Sequence, residues 1–341
     1  MTEYLPILRS RAAELRGLRE LGKQELGKLV PIIELTRSRR SSKNPNGDIS
    51  KSVESVCEIL GGQEFVADLT SLSSLQNPEI VKLLDDADGF ANWTAFANAV
   101  LPENCIPTVH LLDPFEIESF KTQAGKLRSR FRKVAIRVPT SYTTFRDLID
   151  ASVGTFNKLS DVILTLDAGY VTKGAKTGAI ARLVEMLTDV SGKDFGVVSV
   201  AASSFPSSVV AAGGGDDEGQ FPLSEVILWD DLKGRFKEID YSDYAAIHPM
   251  DFTGTVTNWV PRIDVMLDKS FYYRRYRRSD GGYVRAAKEA YQDSRYVPLD
   301  CWAQQNIREA AAGSPNGRSP SFWIANRVNF HLTRQVLRMI R

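Results

Sequence analysis

Short apolar runs alternate with longer amphipathic segments along almost the whole chain. The short runs are rich in valine and isoleucine and are nearly continuously apolar, which is typical of parallel strands buried on both faces. We expect eight such strands, at residues 5–9, 30–35, 65–69, 106–111, 134–138, 162–167, 196–201 and 244–248.

The amphipathic segments between these strands are predicted to be helices, since their apolar residues fall on one side of a helix. The expected helices are 14–21, 52–60, 78–85, 92–101, 114–131, 144–159, 179–190 and 224–237, followed beyond the last strand by 300–311 and 324–340.

Strands that alternate with helices indicate βαβ units and a parallel sheet. Eight such units favour closure into a (β/α)8 TIM-type barrel. The alternative is an open doubly wound sheet, which normally carries a glycine-rich phosphate-binding turn after its first strand. Residues 9–13 read Arg-Ser-Arg-Ala-Ala and contain no glycine. The sequence therefore predicts an α/β barrel.

The chain is expected to divide into three segments. Residues 1–250 would hold the barrel strands and helices, 251–322 an extension or arm inserted after strand eight, and 323–341 a C-terminal helix that closes the barrel. Two further segments, the basic loop 37–48 and the glycine-rich, mobile loop 211–220, would lie at the carboxyl ends of the strands, where barrels place their functional residues.

A polar residue interrupts the apolar run near the carboxyl end of each expected strand. Side chains alternate between the two faces of a strand, so these residues point into the barrel mouth if their apolar neighbours pack against the helices. The alternative for each position is a strand end that meets solvent or caps a helix. The eight residues are Arg9, Glu34, Asp68, His110, Arg137, Asp167, Ser199 and His248.

Barrel interiors are built in layers from alternate strands, which would separate these residues into an arginine-bearing layer and an acid–histidine layer. Arg9 and Arg137, helped by Ser199, would bind an anion, because guanidinium groups match phosphate and carboxylate. The acids and histidines of the ring would serve acid–base chemistry. Those candidate catalytic residues are Glu34, Asp68, His110, Asp167 and His248.

Ser203 and Ser204 follow the seventh expected strand, where barrels often bind phosphate, and are further ligand-binding candidates. An ordinary loop is the alternative for this segment. No cofactor is required by the sequence. A divalent metal among the acids and imidazoles stays open, although two arginines would oppose it and the spacing matches no metal-ligand signature. A purely structural ion-pair network is also open.

Charge and composition limit the partners that we expect. The chain has 43 Lys and Arg against 42 Asp and Glu, so binding to nucleic acid would need a local patch. Residues 271–278 read Phe-Tyr-Tyr-Arg-Arg-Tyr-Arg-Arg, but an edge strand with solvated arginines explains this pattern better than base stacking. We therefore do not expect nucleic acid as a partner.

The three cysteines lie far apart and form no metal or disulfide pattern, which favours the reducing cytoplasm. No stretch approaches the roughly 18 apolar residues of a membrane span. We therefore expect a cytoplasmic protein with no membrane segment.

Several short motifs spread over nearly the whole chain resemble those of the beta protein family of phages, prophages and bacterial mobile elements. The chain departs from the family pattern at Phe330-His331, where two adjacent histidines would be expected, so His331 is given no special role. The motifs are Tyr4-Leu5-Pro6-Ile7-Leu8-Arg9, Leu29-Val30-Pro31-Ile32-Ile33-Glu34-Leu35, Ser203-Ser204-Phe205-Pro206, Trp229, Asp243-Tyr244-Ala245-Ala246-Ile247-His248-Pro249, Trp323 and Asn329-Phe330-His331-Leu332-Thr333.

The resemblance implies a barrel protein encoded beside toxin or anti-phage genes, and hence a role in antiviral defence or another phage–host conflict. It implies no particular biochemical activity. Two hypotheses follow from the polar ring. In the first, the barrel is a hydrolase or lyase that acts on a small phosphate-bearing or nucleotide-like anion. In the second, it is a non-catalytic binding or sensor subunit that works with a protein partner encoded nearby.

Overall fold

The computed structural model describes residues 4–172, 174–251 and 259–340. Strands and helices alternate along most of this part of the chain. The strands are β1 (Tyr4–Arg9), β2 (Ile32–Leu35), β3 (Phe65–Leu69), β4 (Cys105–Pro107), β5 (Val134–Pro139), β6 (Val162–Tyr170), β7 (Val197–Ser203), β8 (Glu218–Pro222), β9 (Asp240–Asp243), β10 (Arg262–Met266) and β11 (Ser270–Arg275).

Amphipathic segments between and after these strands form the helices. They are α1 (Ala12–Arg19), α2 (Lys23–Leu26), α3 (Ile49–Leu60), α4 (Pro78–Leu83), α5 (Ala87–Val100), α6 (Ile117–Arg128), α7 (Phe145–Thr155), α8 (Lys176–Val190), α9 (Ser224–Lys233), α10 (Gly282–Tyr291), α11 (Trp302–Ala311) and α12 (Pro320–Ile340).

Eight of the strands form one parallel sheet that curls into a barrel. Their order is β4-β3-β2-β1-β9-β7-β6-β5. A bridge between Thr108 and Ala135 joins the two outer strands, and the backbone N–H of Val109 donates to the Ala135 carbonyl at 2.8 Å. The predicted TIM-type barrel is therefore confirmed.

The barrel has two apolar cores. A small one fills its interior, and a much larger one lies between the strands and the surrounding helices. Five of the polar ring residues stand above the small core, because alternation along their strands places them on the same inward face. They are Arg9, Glu34, Asp68, Arg137 and Asp167. The interior core consists of Leu5, Ile7, Ile32, Val66, Ile106, Ala135, Ile163, Ala201 and Tyr244.

The eighth barrel strand was predicted at 244–248 and lies instead at Asp240–Asp243, so that prediction is wrong by four residues. Directly after the strand, Ala245 and Ala246 have φ angles of 47° and 60°, which turn the chain away from the sheet. The apolar run that suggested a strand is buried inside this turn. Asp243 and Tyr244 accordingly lie at the carboxyl end of the strand, and not at its amino end.

After the barrel, β10 and β11 form an antiparallel hairpin, and β8, which precedes β9 in the chain, adds a third strand that was missed. β11 is the central strand of this sheet, so the prediction of an edge strand at 271–278 is wrong. β8 lies inside the predicted mobile loop 211–220 and the residues just after it, and it pairs antiparallel with β11. Phe271, Tyr272 and Tyr273 of the hairpin are fully buried, so their rings pack in the core. Helix α10 was also missed. The division into three segments stays a prediction.

The C-terminal helix α12 packs against α1 near the start of the chain. A Cβ atom at Gly17 would lie 2.7 Å from a methyl carbon of Val328, so only glycine permits this approach. Asn329 donates to the Gly17 carbonyl at 3.1 Å. Within the described residues, no helix is long and apolar enough to cross a membrane.

Candidate functional site

Arg137 stands at the centre of the barrel mouth. Its Nε donates to Asp167 at 2.9 Å, and its Nη1 donates to both Glu34 and Asp68, at 2.8 and 3.0 Å. Its Nη2 donates to the Tyr244 hydroxyl at 2.7 Å. Burial disfavours the charge of Arg137, but Tyr244 and the three carboxylates outweigh burial and raise its pKa well above the usual value.

This contact pattern joins the two layers that the sequence separates. Glu34 and Asp68 are register neighbours on β2 and β3, while Asp167 comes from β6 on another side of the barrel. One guanidinium bridges all three, so the carboxylates of the two layers belong to a single network. With Arg9 at its edge, two arginines face three carboxylates, which leaves one formal negative charge.

Tyr244 belongs to this network and was missed by the sequence analysis. Its hydroxyl donates to Asp167 at 2.6 Å while it accepts from Arg137. Burial, which outweighs the attraction of Arg137, raises its pKa well above the usual value, so the hydroxyl keeps its proton. Residues two apart along a strand face the same side. If the sequence analysis had placed the strand at Asp240–Asp243, alternation would have put Tyr244 on the inward face with Ser242.

Arg9 links the network to His248. Its Nε lies 3.5 Å from Glu34, and its Nη2 donates to the His248 carbonyl at 2.9 Å. The His248 Nδ1 lies 2.9 Å from the Phe205 carbonyl. Because a carbonyl only accepts, the Nδ1 carries the proton, and a neutral His248 keeps its lone pair on Nε2.

His110 lies beside the network, but beyond the end of its strand. The Gln123 side chain pairs with both the N–H and the carbonyl of His110, at 2.7 and 3.0 Å, in the manner of a neighbouring strand. The ring packs against Phe90 and Trp93. Burial lowers its pKa, an effect that Asp68 at 3.9 Å partly offsets. Its Nε2 is buried and has no hydrogen-bond partner among the described residues.

The three serines lie apart from the network. Ser199 is fully buried and shares a hydrogen bond of 2.9 Å with Thr165, one inward position below Asp167. The Ser203 hydroxyl donates to the Ile247 carbonyl, and the Ser204 hydroxyl contacts the Glu225 carboxyl. The Ser203 and Ser204 contacts hold the loop after β7. A role of the three serines in ligand binding stays a prediction.

A cavity of about 540 Å³ borders Arg9 and His248 at the barrel mouth. Arg327 of α12 lies in its wall, donates to Asp264 at 3.0 Å, and stacks 4.2 Å from the centre of the Phe205 ring. Burial lowers the Arg327 pKa to about 10, which still leaves the group charged at neutral pH. The polar lining includes Arg9, Arg11, Glu14, His248, Asp251, Arg262 and Arg327, and the apolar lining includes Leu72, Leu75, Phe205, Ile247, Met250, Trp259 and Ile324.

Glu14 is a second residue that the sequence analysis missed. It lies in the first turn of α1 and accepts a hydrogen bond from the Arg9 N–H at 2.7 Å. Burial raises its pKa to about 7, against the opposing charge of Arg9. A carboxyl that titrates near neutral pH therefore lines the cavity. An acid in the turn after the first strand was the available signal.

The described residues contain no group of three or more His, Cys, Asp or Glu side chains arranged to hold a metal ion. The three carboxylates of the mouth, Glu34, Asp68 and Asp167, are instead arranged around the positive charge of the Arg137 guanidinium. The three cysteines, Cys57, Cys105 and Cys301, are free thiols.

An eight-stranded parallel barrel with an arginine-centred network at its carboxyl ends places this chain among the TIM-type barrel proteins. Residues 4–337 match the family model described as Beta protein. The chain is 30% identical over 340 residues to Protein beta of Enterobacteria phage P4, covering 98% of this chain and 92% of that protein. It belongs to the Beta protein family, as the sequence motifs indicate.

Among solved structures, the chain is similar to the spore cortex-lytic enzyme SleL of Bacillus cereus, with a TM-score of 0.35 and 8% identity. The match covers 96% of this chain and 74% of that one. At this TM-score the similarity carries no argument about fold or function.

Proposed function

We propose that this chain is a cytoplasmic phage–host-conflict protein whose barrel mouth binds a small phosphate-bearing or nucleotide-like anion. The observation that carries the proposal is the mouth cavity with its four arginines. The viral origin of Protein beta supports the biological setting, and three free thiols fit a reducing compartment.

The balance of charges favours an anion in the cavity. Four arginines line it against two carboxyls, and one of these, Glu14, is partly protonated near neutral pH. Arg262 and Arg327 both contact a single carboxylate, Asp264. The Arg11 side chain is exposed at the rim. Guanidinium groups that are only partly neutralised suit the oxygens of a phosphate.

The apolar lining of the cavity favours a nucleotide among the phosphate-bearing ligands. Trp259 is only half-buried and lines the cavity together with Met250 and Ile247. A nucleobase fits an aromatic wall, while its phosphate fits the arginines. The volume of about 540 Å³ lies in the range of small-molecule sites.

Acid–base chemistry is the finer part of the proposal. The free Nε2 of His248 would take a proton from the attacking water, or from the ligand itself in an elimination. Glu14, which titrates near pH 7, would return a proton to the leaving group. Glu34, Asp68 and Asp167 hold Arg137, which lies outside the cavity lining, and Glu34 also lies 3.5 Å from Arg9, which does line the cavity.

A non-catalytic sensor subunit is the second candidate, and the Arg137 network favours it. The Nε, Nη1 and Nη2 atoms of Arg137 each donate to a carboxylate or to Tyr244, so all three nitrogens of this guanidinium already have partners within the protein. Such a network stabilises a rigid recognition surface without taking part in a reaction. A protein encoded nearby would then read out the bound state.

Calorimetric titration with AMP, GMP, CMP, UMP and inorganic phosphate tests the proposal. We expect at least one nucleotide to bind, and the double variant Arg11→Gln/Arg262→Gln to bind it about tenfold more weakly or worse, as expected for lost charge-assisted hydrogen bonds. The matched control is Arg146→Gln/Arg235→Gln, which removes two exposed arginines outside the cavity lining. Absence of binding by the unaltered protein, or equal binding by the double variant, overturns it. Phosphate release during titration separates the enzyme from the sensor.

A further inference from the structure

The loop after β2 forms a strongly basic rim beside the mouth. It carries Arg37, Arg39, Arg40 and Lys43, of which the last three are exposed. Its one carboxylate, Asp48, caps helix α3 by accepting from the Ser50 N–H at 2.8 Å. The loop therefore presents a concentration of positive charge that the near-zero net charge of the chain conceals.

Arg11, in the loop between β1 and α1, adds a second source of positive charge to this rim. Burial and the neighbouring charges of Arg40 and Arg11 together lower the Arg37 pKa. The charges of Arg40 and Arg11 both act on Arg37 as like charges do. Arg37 donates to the Ser74 carbonyl at 3.1 Å, and its Nε is buried without a hydrogen-bond partner among the described residues.

The basic rim is continuous with the mouth cavity. Ser74 and Leu75 line the cavity, and the Arg37 backbone N–H donates to the Leu75 carbonyl at 3.1 Å. Arg11 contributes to both, since it lines the cavity and acts electrostatically on Arg37. An anion that extended out of the cavity past Ser74 and Leu75 would meet Arg37 at the start of the basic loop.

A chain of phosphates with stacking bases matches this arrangement. Single-stranded nucleic acid binds to protein surfaces that pair a cationic track with aromatic side chains. Here Trp259 supplies the aromatic surface inside the cavity, and the loop supplies the cationic track outside. An acidic protein segment would satisfy the loop, but it would not use the aromatic wall.

We propose that the mouth cavity and the basic loop 37–43 form one site for single-stranded nucleic acid, with a terminal nucleotide in the cavity and the following phosphates along the loop. This inference rests on the proposed function, since it requires that the cavity accept a phosphate-bearing ligand. The near-neutral chain needs a local basic patch to bind nucleic acid, and the basic loop supplies one.

Calorimetric titration of the full chain with unlabelled DNA and RNA strands of about 10 nucleotides tests this inference. We expect the strands to bind about tenfold more tightly than the best mononucleotide, with an affinity that falls steeply between about 50 and 200 mM salt. The variant Arg39→Gln/Arg40→Gln/Lys43→Gln should lower the ratio of strand to mononucleotide affinity and reduce the logarithmic salt slope by about 2, the loss expected for three phosphate contacts.

The matched control is Lys193→Gln/Arg235→Gln/Lys237→Gln. These residues are exposed and lie together near the amino ends of β7 and β9, at the other end of the barrel. The control changes the net charge by the same amount, so it should leave both affinities and the salt slope unchanged. An equal effect of the two triple variants overturns the inference, since net charge alone would then explain the binding.

The remaining outcomes separate this inference from the proposed function. If mononucleotides bind and strands bind no more tightly, the inference fails and the proposed function stands. If polyglutamate of equal charge binds as tightly as the strands, the loop is a site for acidic protein and the inference fails. If neither mononucleotides nor strands bind, both fail. Thermal unfolding of every variant confirms that a loss of binding is not a loss of fold.

Discussion

Arg137 and Asp167 lie on neighbouring strands of the barrel and meet through two contacts to one carboxylate oxygen, with Nε at 2.9 Å and Nη2 at 2.8 Å from Oδ2. The register partner of Arg137 on β6 is Thr165, and Asp167 lies two residues further along that strand, so the Arg137 side chain extends toward the mouth to reach it. The same cation contacts Glu34 and Asp68 from the far side of the barrel. One residue therefore ties four strands together.

Replacing this cation should destabilise the fold strongly. Arg137→Met leaves three carboxylates close together and unpaired, and removing one partner of a buried charge network costs about 3–5 kcal/mol. Urea unfolding monitored by circular dichroism measures the loss. The exposed Arg146→Met is the control, and its free energy of unfolding should not change. Equal stability of the two variants would contradict a structural role for the network.

Glu14 should make the stability of the protein depend on pH. Its pKa is raised from 4.5 to about 7 in the fold, so the folded state holds the proton that the unfolded state releases. Stability should therefore fall as the pH rises between these values, and the loss should be complete above them. Glu225, whose pKa burial also raises to about 7, acts in the same direction.

The variant Glu14→Gln isolates this effect, because its amide oxygen can still accept from the Arg9 N–H. We expect the variant to gain stability over the unaltered protein above pH 7, on the order of 3 kcal/mol, and to match it near the unperturbed pKa. Unfolding curves at about pH 5 and pH 8 make the comparison. A difference that does not depend on pH would show that Glu14 does not titrate in this range.

Gly17 should be required for the close packing of α1 against α12. Gly17→Ala places a methyl group against Val328 and the Ala325 carbonyl, and overpacking of this kind costs about 1–3 kcal/mol. Gly125→Ala is the matched control, since that position in α6 has open space, and there alanine should stabilise by about 0.5–1 kcal/mol. Thermal unfolding of the two variants should shift in opposite directions.

His248 separates binding from chemistry. If the mouth acts on its ligand, His248→Gln should leave nucleotide affinity nearly unchanged and reduce turnover about 100-fold or more, the usual share of a general base. Phosphate release at saturating nucleotide is the measurement. His110→Gln is the comparison, because His110 lies outside the cavity lining. A larger loss for His110→Gln would place the acid–base group at the other side of the network.

The barrel could be predicted from the sequence because parallel strands buried on both faces are continuously apolar. The prediction misplaced the eighth strand for the same reason. β9 reads Asp-Tyr-Ser-Asp and carries no apolar run, while the adjacent Tyr-Ala-Ala-Ile segment does, although it is a buried turn. Strand β8 was missed because its glycine-rich surroundings indicate a loop.

Seven of the eight ring residues lie at the carboxyl end of the barrel, as predicted. Which of their side chains contact one another could not be predicted from the sequence. Side-chain alternation places Arg137 in the mouth, whereas its reach to carboxylates of three other strands depends on the closed geometry. Ser199 also interrupts an apolar run, but it lies one inward position below the level of Asp167, inside the barrel. Glu14 and Arg327 come from helices at the two ends of the chain, so no local pattern connects them.

The most direct test of the cavity as an anion site is a crystal structure of the protein with the nucleotide that binds best in calorimetry. We predict electron density for the phosphate inside the mouth cavity, within about 3 Å of the guanidinium nitrogens of Arg11, Arg262 or Arg327. Phosphate density away from these arginines, or a nucleotide bound elsewhere on the barrel, would contradict it.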